Sequence, residues 1–311
     1  LGSVNAVLAS FLDRPLPARH ADTQHILICG VAQLLFLGIP PHAAIDLAVR
    51  QTRAVNRGES MTKLVNAVLR RVAHDGAEII ANQPAGELNT PAWLASRWQK
   101  HYGNDIAAAI MTAHLNEPPL DLSVSRDAAL WAARLNGVVL RTRSVRIQPK
   151  GRIEQMTGYG EGEWWVQDAA ASLPVRMLGP VVGERVLDLC AAPGGKTAQL
   201  ASLGADVTAV DSSVARTARL RDNLRRLKLA ANVVEADVLQ WQPETQFPFV
   251  LLDAPCSATG TIRRNPDIGY LKSEANIKDL ASLQSRLLER AARFVAPGGA
   301  IVFCTCSLEP E

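Results

Sequence analysis

Between residues 23 and 73 apolar side chains recur every three or four positions: Ile26, Leu27, Val31, Leu34 and Leu35, then Ile45, Leu47 and Ala48, then Leu64, Val65, Val68 and Leu69. That period predicts amphipathic helices packed on one another, an all-helical first domain. Pro40 and Pro41 separate two of these helices, and residues 58–61 offer a turn in which Ser60 is placed as an N-cap. The uncharged stretch 26–45 contains Gln33, Gly38, Pro40, Pro41 and His42, so it reads as a buried helix and a turn, not as a membrane span. The basic helix ends Arg50, Arg53, Arg57, Arg70 and Arg71 fit either solvated C-termini or a surface facing RNA.

Residues 81–86 carry no charge and little that can pack, and are read as a linker. Thr90 then serves as N-cap and Pro91 as first residue of a helix running through Trp98 and His101. From residue 116 to 166 the pattern changes to short apolar runs, 120–124 and 138–140, broken by Pro and Gly, as in a small α+β insert. Within it Arg141, Arg143, Arg146, Lys150 and Arg152 place five cations in twelve residues with no acid among them, either a phosphate contact or a solubilising strand edge. A second basic cluster, Arg216 to Lys228, is spread around a helix and reads as a solvated face.

Beyond residue 185 strand-like runs alternate with helical ones: 186–189, 207–210, 249–252 and 300–303 against 197–203, 214–227 and 277–294. Alternation of this kind predicts a parallel sheet with helices on both faces and ligands at the carboxyl ends of the strands. The expected fold is therefore multidomain: all-α over 1–80, a linker helix and small α+β region over 81–165, and an α/β Rossmann-like domain over 166–311. The chain opens on Leu1 and stops at Glu311 just after a strand-like run, so it is read as a piece of a longer protein.

Composition narrows the class. The 311 residues are 48% hydrophobic and 20% charged, which suits globular domains and excludes a disordered or fibrous chain. With 33 Lys and Arg against 30 Asp and Glu, any nucleic-acid site is a local patch. Five cysteines, an odd number with no CxxC pair, suggest free thiols in a reducing cytoplasm, and metal binding is not expected. All six histidines precede residue 115, so proton transfer in the α/β part falls to a carboxylate, a thiol, Lys196 or water.

The sharpest local signal is the run from Val186 to Thr197, a strand entering the turn Cys190, Ala191, Ala192, Pro193, Gly194, Gly195, Lys196 and then a helix. Glycines there let backbone amides approach a ligand. A phosphate loop needs glycine where Cys190 stands, and the dinucleotide fingerprint G-x-G-x-x-G is absent. A nucleoside-type ligand remains, with Asp211 ending the next strand toward its ribose and Asp237 ending the following one toward an adenine amine. Asp188, Asp211 and Asp237, three carboxylates at successive strand ends, support this.

The next strand ends in Asp253-Ala-Pro-Cys256 and the last in Cys304-Thr-Cys306-Ser. Neighbouring parallel strands thus deliver Cys256 and Cys306 to the ligand edge as functional thiols. Cys29, Cys190 and Cys304 are read as small buried apolar side chains.

CAAPGGKT at 190–197, DAPCSATGTIRRNPD at 253–267 and CTCS at 304–307 resemble the S-adenosylmethionine-dependent RNA cytosine-5 methyltransferases. GVAQLLFLGIPPHAAIDLAV at 30–49 and VNAVLRR at 65–71 resemble a NusB-like RNA-binding domain, a combination found in bacterial 16S ribosomal RNA cytosine-5 methyltransferases. The resemblance implies S-adenosylmethionine as cofactor, bound along residues 190–196 with Asp211, Asp237 and Asp253. It implies attack of Cys306 on carbon 6 of a cytosine, Asp253 on the base near N3 and the amine, and Cys256 in product release. It implies ribosomal RNA as partner, with Arg263, Arg264, Arg141, Arg143, Arg146 and Lys150 as phosphate contacts; nothing in the sequence demands more than a cytoplasmic monomer. The competing expectation is a non-catalytic RNA-binding or ribosome-assembly factor on the same fold. Folds of this kind continue beyond the last strand present here into a closing strand pair.

Overall fold

In a computed structural model, which describes residues 1–55, 58–148 and 151–311, the chain divides into two compact units, Leu1–Asn116 and Glu117–Glu311. Arg57 and Lys150 lie outside the described residues. The segment expected as 81–165 is therefore divided between the two units.

The first unit is helical: α1 (Gly2–Phe11), α2 (Ala21–Leu35), α3 (Pro41–Ala54), α4 (Thr62–Ala81), α5 (Ala85–Leu88), α6 (Ala92–Tyr102) and α7 (Asn104–Ala113). Its core joins Val4, Val7, Leu8 and Phe11 of α1 to Leu27, Val31, Ala48, Val65, Val68, Leu69 and Val72. The helical period of 23–73 is thus realised as α2, α3 and α4. The sequence reading passed over α1, although Val4, Val7, Leu8 and Phe11 have the spacing of one helix face.

Three local expectations are corrected. Ser60 lies inside a 3-10 turn, Glu59–Met61, so α4 starts from Met61 and has no side-chain cap. Thr90 hydrogen-bonds back to the Gly86 carbonyl and leaves Pro91 as the N-cap of α6. Cys29 is exposed, because on α2 the buried positions are Thr23, Leu27, Gly30 and Val31, and residue 29 falls outside that stripe.

The second unit has two layers of different origin. Strands β1 (Leu120–Val124), β2 (Val138–Val139), β3 (Val145–Ile147) and β4 (Trp164–Val166) form an antiparallel sheet in the order β2-β3-β1-β4, with α8 (Ala128–Arg134) packed on it. Leu122, Val145, Ile147 and Trp164 meet Trp131 in its core. One charge is buried there: Asp121 accepts two hydrogen bonds from Arg146, at 2.7 and 2.9 Å, and one from the Ala169 amide at 3.0 Å.

After α9 (Leu173–Met177), the chain builds β5 (Arg185–Leu189), α10 (Gly195–Ser202), β6 (Asp206–Asp211), α11 (Val214–Leu227), β7 (Asn232–Glu235), β8 (Phe247–Asp253), α12 (Ile268–Leu271), α13 (Glu274–Ala292) and β9 (Val295–Cys304). Its five strands are parallel in the order β7-β6-β5-β8-β9. Because successive strand residues alternate faces, Val186, Val207 and Leu251 pack with Val175, Leu178 and Leu200 on one side. Leu187, Leu189, Val210, Val250 and Leu252 pack with Leu287, Ala291 and Phe294 on the other. Asp188, Asp211 and Asp253 continue the first parity, so all three emerge on the face covered by α9 and α10. Among the described residues no helix is long and apolar enough to cross a membrane.

Burial raises the pKa of Asp121, but the hydrogen bonds from Arg146 and Ala169 and the charge of Arg146 outweigh it and hold the carboxyl below its ordinary value. Its contribution to stability is therefore full above the unfolded carboxyl pKa and disappears as pH falls through the lower folded value. Asp121→Ala is expected to cost about 2 kcal/mol, discounted because Arg146 is partly solvated. A urea titration followed by the fluorescence of Trp131, Trp164 and Trp165, at pH 7 and again below pH 4, checks both the loss and its convergence in acid.

Candidate active site

The strand registers set the site. Leu189 pairs with Val210 and with Leu252, and Asp253 pairs with Cys304. Residue 190 is thereby level with Asp211 and Asp253, and a row of chemically active side chains crosses the carboxyl edge of the sheet.

At the first crossover Cys190 has φ +58°, the Ala192–Pro193 peptide is cis and Gly194 has φ +98°. A Cβ on Gly194 would stand 2.8 Å from Leu220 Cγ, so glycine is required both by conformation and by the approach of α11. Gly195, at the start of α10, has nothing within 4 Å of where a Cβ would be, which leaves space over the first turn of the helix. Asp211 shapes this turn: it accepts from the Ala192 amide at 3.1 Å and the Ser213 amide at 3.0 Å, and pairs with Arg216 at 2.8 Å. The carboxylate expected to face a ribose is thus tied to the backbone of the turn itself. Asp237 is exposed, accepts from the Leu239 amide at 2.9 Å, and has no described contact with the turn.

Asp188 is fully buried. Thr197 donates to its Oδ2 at 2.6 Å, while Oδ1 has no partner among the described residues. Burial pushes its pKa up to about 7.

Lys196 donates to Asp253 Oδ2 at 2.6 Å, and the Cys304 thiol lies 3.6 Å from Asp253 Oδ1. Cys304 is therefore a neighbour of the site carboxylate and not inert packing as expected. Burial and the charge of Asp253 push its pKa up to about 12, which keeps it a protonated donor. Burial and nearby carboxylates do the same for Cys190, also to about 12. Burial opposes the charge on Lys196, but Asp253 outweighs it and raises the ammonium pKa, so Lys196 is a poor base at neutral pH.

Cys256 Sγ and Cys306 Sγ are 3.4 Å apart. The Gly260 amide donates to the Cys306 carbonyl at 2.9 Å, and the Leu308 amide to Thr259 Oγ1 at 3.0 Å, so the two loops are stitched along their backbones. Hydroxyls of Ser257, Thr259 and Ser307 all donate to Glu309 Oε2, at 2.5, 2.6 and 2.7 Å. Ser257 and Thr259 are buried, and this carboxylate is their shared acceptor. The sequence reading missed Glu309, since nothing in the spacing of one acid among hydroxyl residues marks it before the loops meet.

The thiol pair titrates as a unit. The hydrogen bond from Cys306 brings Cys256 down to about 6, against burial and with help from the Ala258 and Cys306 amides. The same contact, burial and the resulting negative charge raise Cys306. One proton leaves easily and the other is held between the sulfurs.

Of the expected phosphate contacts, three have internal partners: Arg146 is bound to Asp121, Arg263 donates to the Glu117 carbonyl at 2.6 Å, and Arg264 bonds Asp168 at 2.8 Å and the Pro119 carbonyl at 3.0 Å. Arg141 and Arg143 are exposed in the turn between β2 and β3.

A parallel sheet with a glycine turn after its first strand and two facing thiols at the ends of adjacent strands defines an S-adenosylmethionine-dependent methyltransferase. Residues 175–311 match the family of the 16S rRNA methyltransferase RsmB/F, and residues 1–74 match the NusB family. Over its whole length the chain is 37% identical to ribosomal RNA small subunit methyltransferase B of Cronobacter sakazakii and 36% identical to that of Escherichia coli, covering 76% of each. It belongs to that methyltransferase family. Among solved structures, a methyltransferase homolog protein from Pyrococcus horikoshii aligns with TM-score 0.61 and 30% identity over 69% of this chain and 73% of its own. NSun6 from Pyrococcus horikoshii, solved with SFG, shares the fold at TM-score 0.62 and 18% identity over 70% of this chain and 83% of its own.

The residues present fit the cofactor: there is open space over Gly195 at the start of α10, and Asp188 Oδ1, on the strand that enters the turn, has no partner among the described residues.

Two outcomes follow from the thiol geometry. Iodoacetamide modification of Cys256 is expected to rise through about pH 6, while Cys190 and Cys304 stay unreactive to pH 9. Cys306→Ala removes the lowering hydrogen bond and moves the Cys256 inflection upward, read by mass spectrometry of the labelled peptide. Glu309→Ala, which removes the shared acceptor of these hydroxyls and leaves them only their contacts with one another, is expected to lower kcat and to destabilise the unit by about 1 kcal/mol, with partial recovery in Glu309→Gln. Equal kcat in all three proteins contradicts the clasp.

Proposed function

We infer that the protein transfers a methyl group from S-adenosylmethionine to carbon 5 of a cytosine in 16S ribosomal RNA, with Cys306 as nucleophile. The observation that carries this reading is the 3.4 Å contact between two thiols beside a site carboxylate, since carbon 5 is too weak a nucleophile without prior addition to carbon 6. The cofactor, held by residues 190–196 with Asp211 supporting the turn and Asp237 toward the adenine, supplies an electrophilic methyl on a sulfonium.

Cys306 is the thiol offered to the base because it is the more exposed of the two. In the resting pair the charge sits on Cys256, so Cys306 passes its proton across the sulfur contact as it adds to carbon 6. Asp253, held by Lys196, accepts from the cytosine amine and orients the ring, and the Lys196 ammonium beside it offsets the negative charge that builds as carbon 6 is attacked. Uracil offers no amine there, which gives the preference for cytosine. After methylation a water molecule takes the carbon 5 proton, the electron pair of that bond restores the carbon 5–carbon 6 double bond and expels Cys306 as a thiolate, and Cys256 returns the shared proton to the leaving sulfur. Arg141 and Arg143 contact the RNA backbone, and the target base is turned out of its stack to reach the thiols. The enzyme acts as a cytoplasmic monomer without a metal.

Transfer of labelled methyl to unmodified 16S RNA, followed by digestion to nucleosides, tests the reading. Label is expected in 5-methylcytidine, absent with Cys306→Ala, and trapped as a denaturation-stable protein–RNA adduct with Cys256→Ala. Asp253→Ala is expected to lower kcat by about 100-fold or more. RNA binding with no transfer by the wild type would leave the non-catalytic assembly factor as the better account.

A further inference from the structure

A concavity of about 420 Å3 lies in the same unit as the candidate active site, walled by the end of β1, the turn between β2 and β3, α9 and the second half of α10. It is lined by Gln199 and Ser202, whereas the cofactor turn leads into Lys196 at the other end of that helix, about 9 Å away at the helical rise. Three arginines, Arg126, Arg143 and Arg176, line it.

Each is placed by backbone structure. Arg126 precedes Asp127, whose side chain caps α8 by accepting from the Leu130 amide at 2.9 Å. Arg143 sits at φ +56° in a turn closed by the Leu140 amide on the Ser144 carbonyl and the Arg143 amide on the Leu140 carbonyl, both 2.8 Å. Glycine is the least strained residue at such a position, and an arginine stands there instead. Arg176, on α9, donates to the Thr142 carbonyl of the same turn.

Among the described residues none of the three arginines forms an ion pair, and the one carboxylate on the wall, Asp127, is engaged by a backbone amide. Below them Ser123 and Trp165 donate to Gln167, Gln167 donates to Gln199 at 2.9 Å, and Gln199 donates to the Ser172 carbonyl at 2.9 Å. The floor is thus neutral, satisfied and buried. Three cations against the single carboxylate of Asp127 leave a net positive charge over this floor, which a bound anion offsets.

We propose that this pocket is a phosphate subsite for the RNA substrate, taking a backbone phosphodiester with its ribose on the strand that carries the target cytosine. The proposal rests on the RNA methyltransferase reading. A phosphodiester fits better than a carboxylate because guanidiniums carried by three separate elements suit an anion with several acceptor oxygens. Guanidiniums contacting the backbone carry affinity and register but read no base. The pocket thus sets how strongly the strand is held, while Asp253 sets which base is accepted.

The test uses the whole chain with 16S RNA and compares wild type with Arg143→Gly, Arg126→Ala and Arg176→Ala singly and together. Arg143→Gly relieves the backbone and keeps the fold, so its effect reads the side chain alone. Expected for the triple variant are a KM for RNA raised at least about tenfold with kcat changed less than about twofold, unchanged S-adenosylmethionine affinity, and a slope of log K against log salt shallower by about 2. Unchanged KM and salt slope overturn the proposal. Loss of inorganic phosphate or adenosine monophosphate binding with RNA binding intact also overturns it, in favour of a small-anion site. If wild type transfers no methyl, the enzymatic reading fails while the salt slope still reports on the pocket, so the two failures are separable.

Discussion

The structure depends on the meeting of two loops at the ends of β8 and β9. Parallel pairing brings Asp253 level with Cys304, and two residues further the chain must deliver Cys306 against Cys256. Thiols make weak hydrogen bonds and cannot hold two loops together. The Gly260 amide on the Cys306 carbonyl and the three hydroxyls on Glu309 do so instead. The energetics of positioning are thereby separated from the two thiols proposed to react.

The edge of the sheet sorts four acidic side chains by environment. Asp211 is committed to the turn, Asp188 is buried with its pKa pushed up to about 7, Asp253 is paired with Lys196, and Asp237 stands in solvent. Only Asp253 combines partial exposure with a fixed partner, so it is the one suited to meet a base. The same contact raises the pKa of Lys196 and makes it a poor base, which leaves proton transfer in the proposed reaction to the thiol pair and water.

Much of this was legible in the chain. Alternating periods gave away the parallel sheet, and α11 lies where its pattern put it, at Val214–Leu227. The glycine turn and the two cysteine motifs were readable because their chemistry demands particular residues at short range. Long-range partners were not: Asp121 with Arg146, Arg264 with Asp168 and Glu309 with the 257–259 loop are separated by 25 to 96 residues. A basic run therefore looked uniform, although Arg146 faces a buried acid and Arg143 faces a pocket. Cys304 was misread for the same reason, since the carboxylate beside it arrives from another strand.

The most direct test of the central claim asks which sulfur joins the RNA. Wild-type enzyme incubated with S-adenosylmethionine and 16S RNA containing 5-fluorocytidine, whose carbon 5 has no proton to lose, should stop at the covalent stage. Protease digestion and mass spectrometry of the RNA-linked peptide are expected to find the nucleotide on Cys306 with Cys256 unmodified. A nucleotide on Cys256, or no adduct from a protein that still methylates unmodified RNA, would contradict the division of labour between the two thiols.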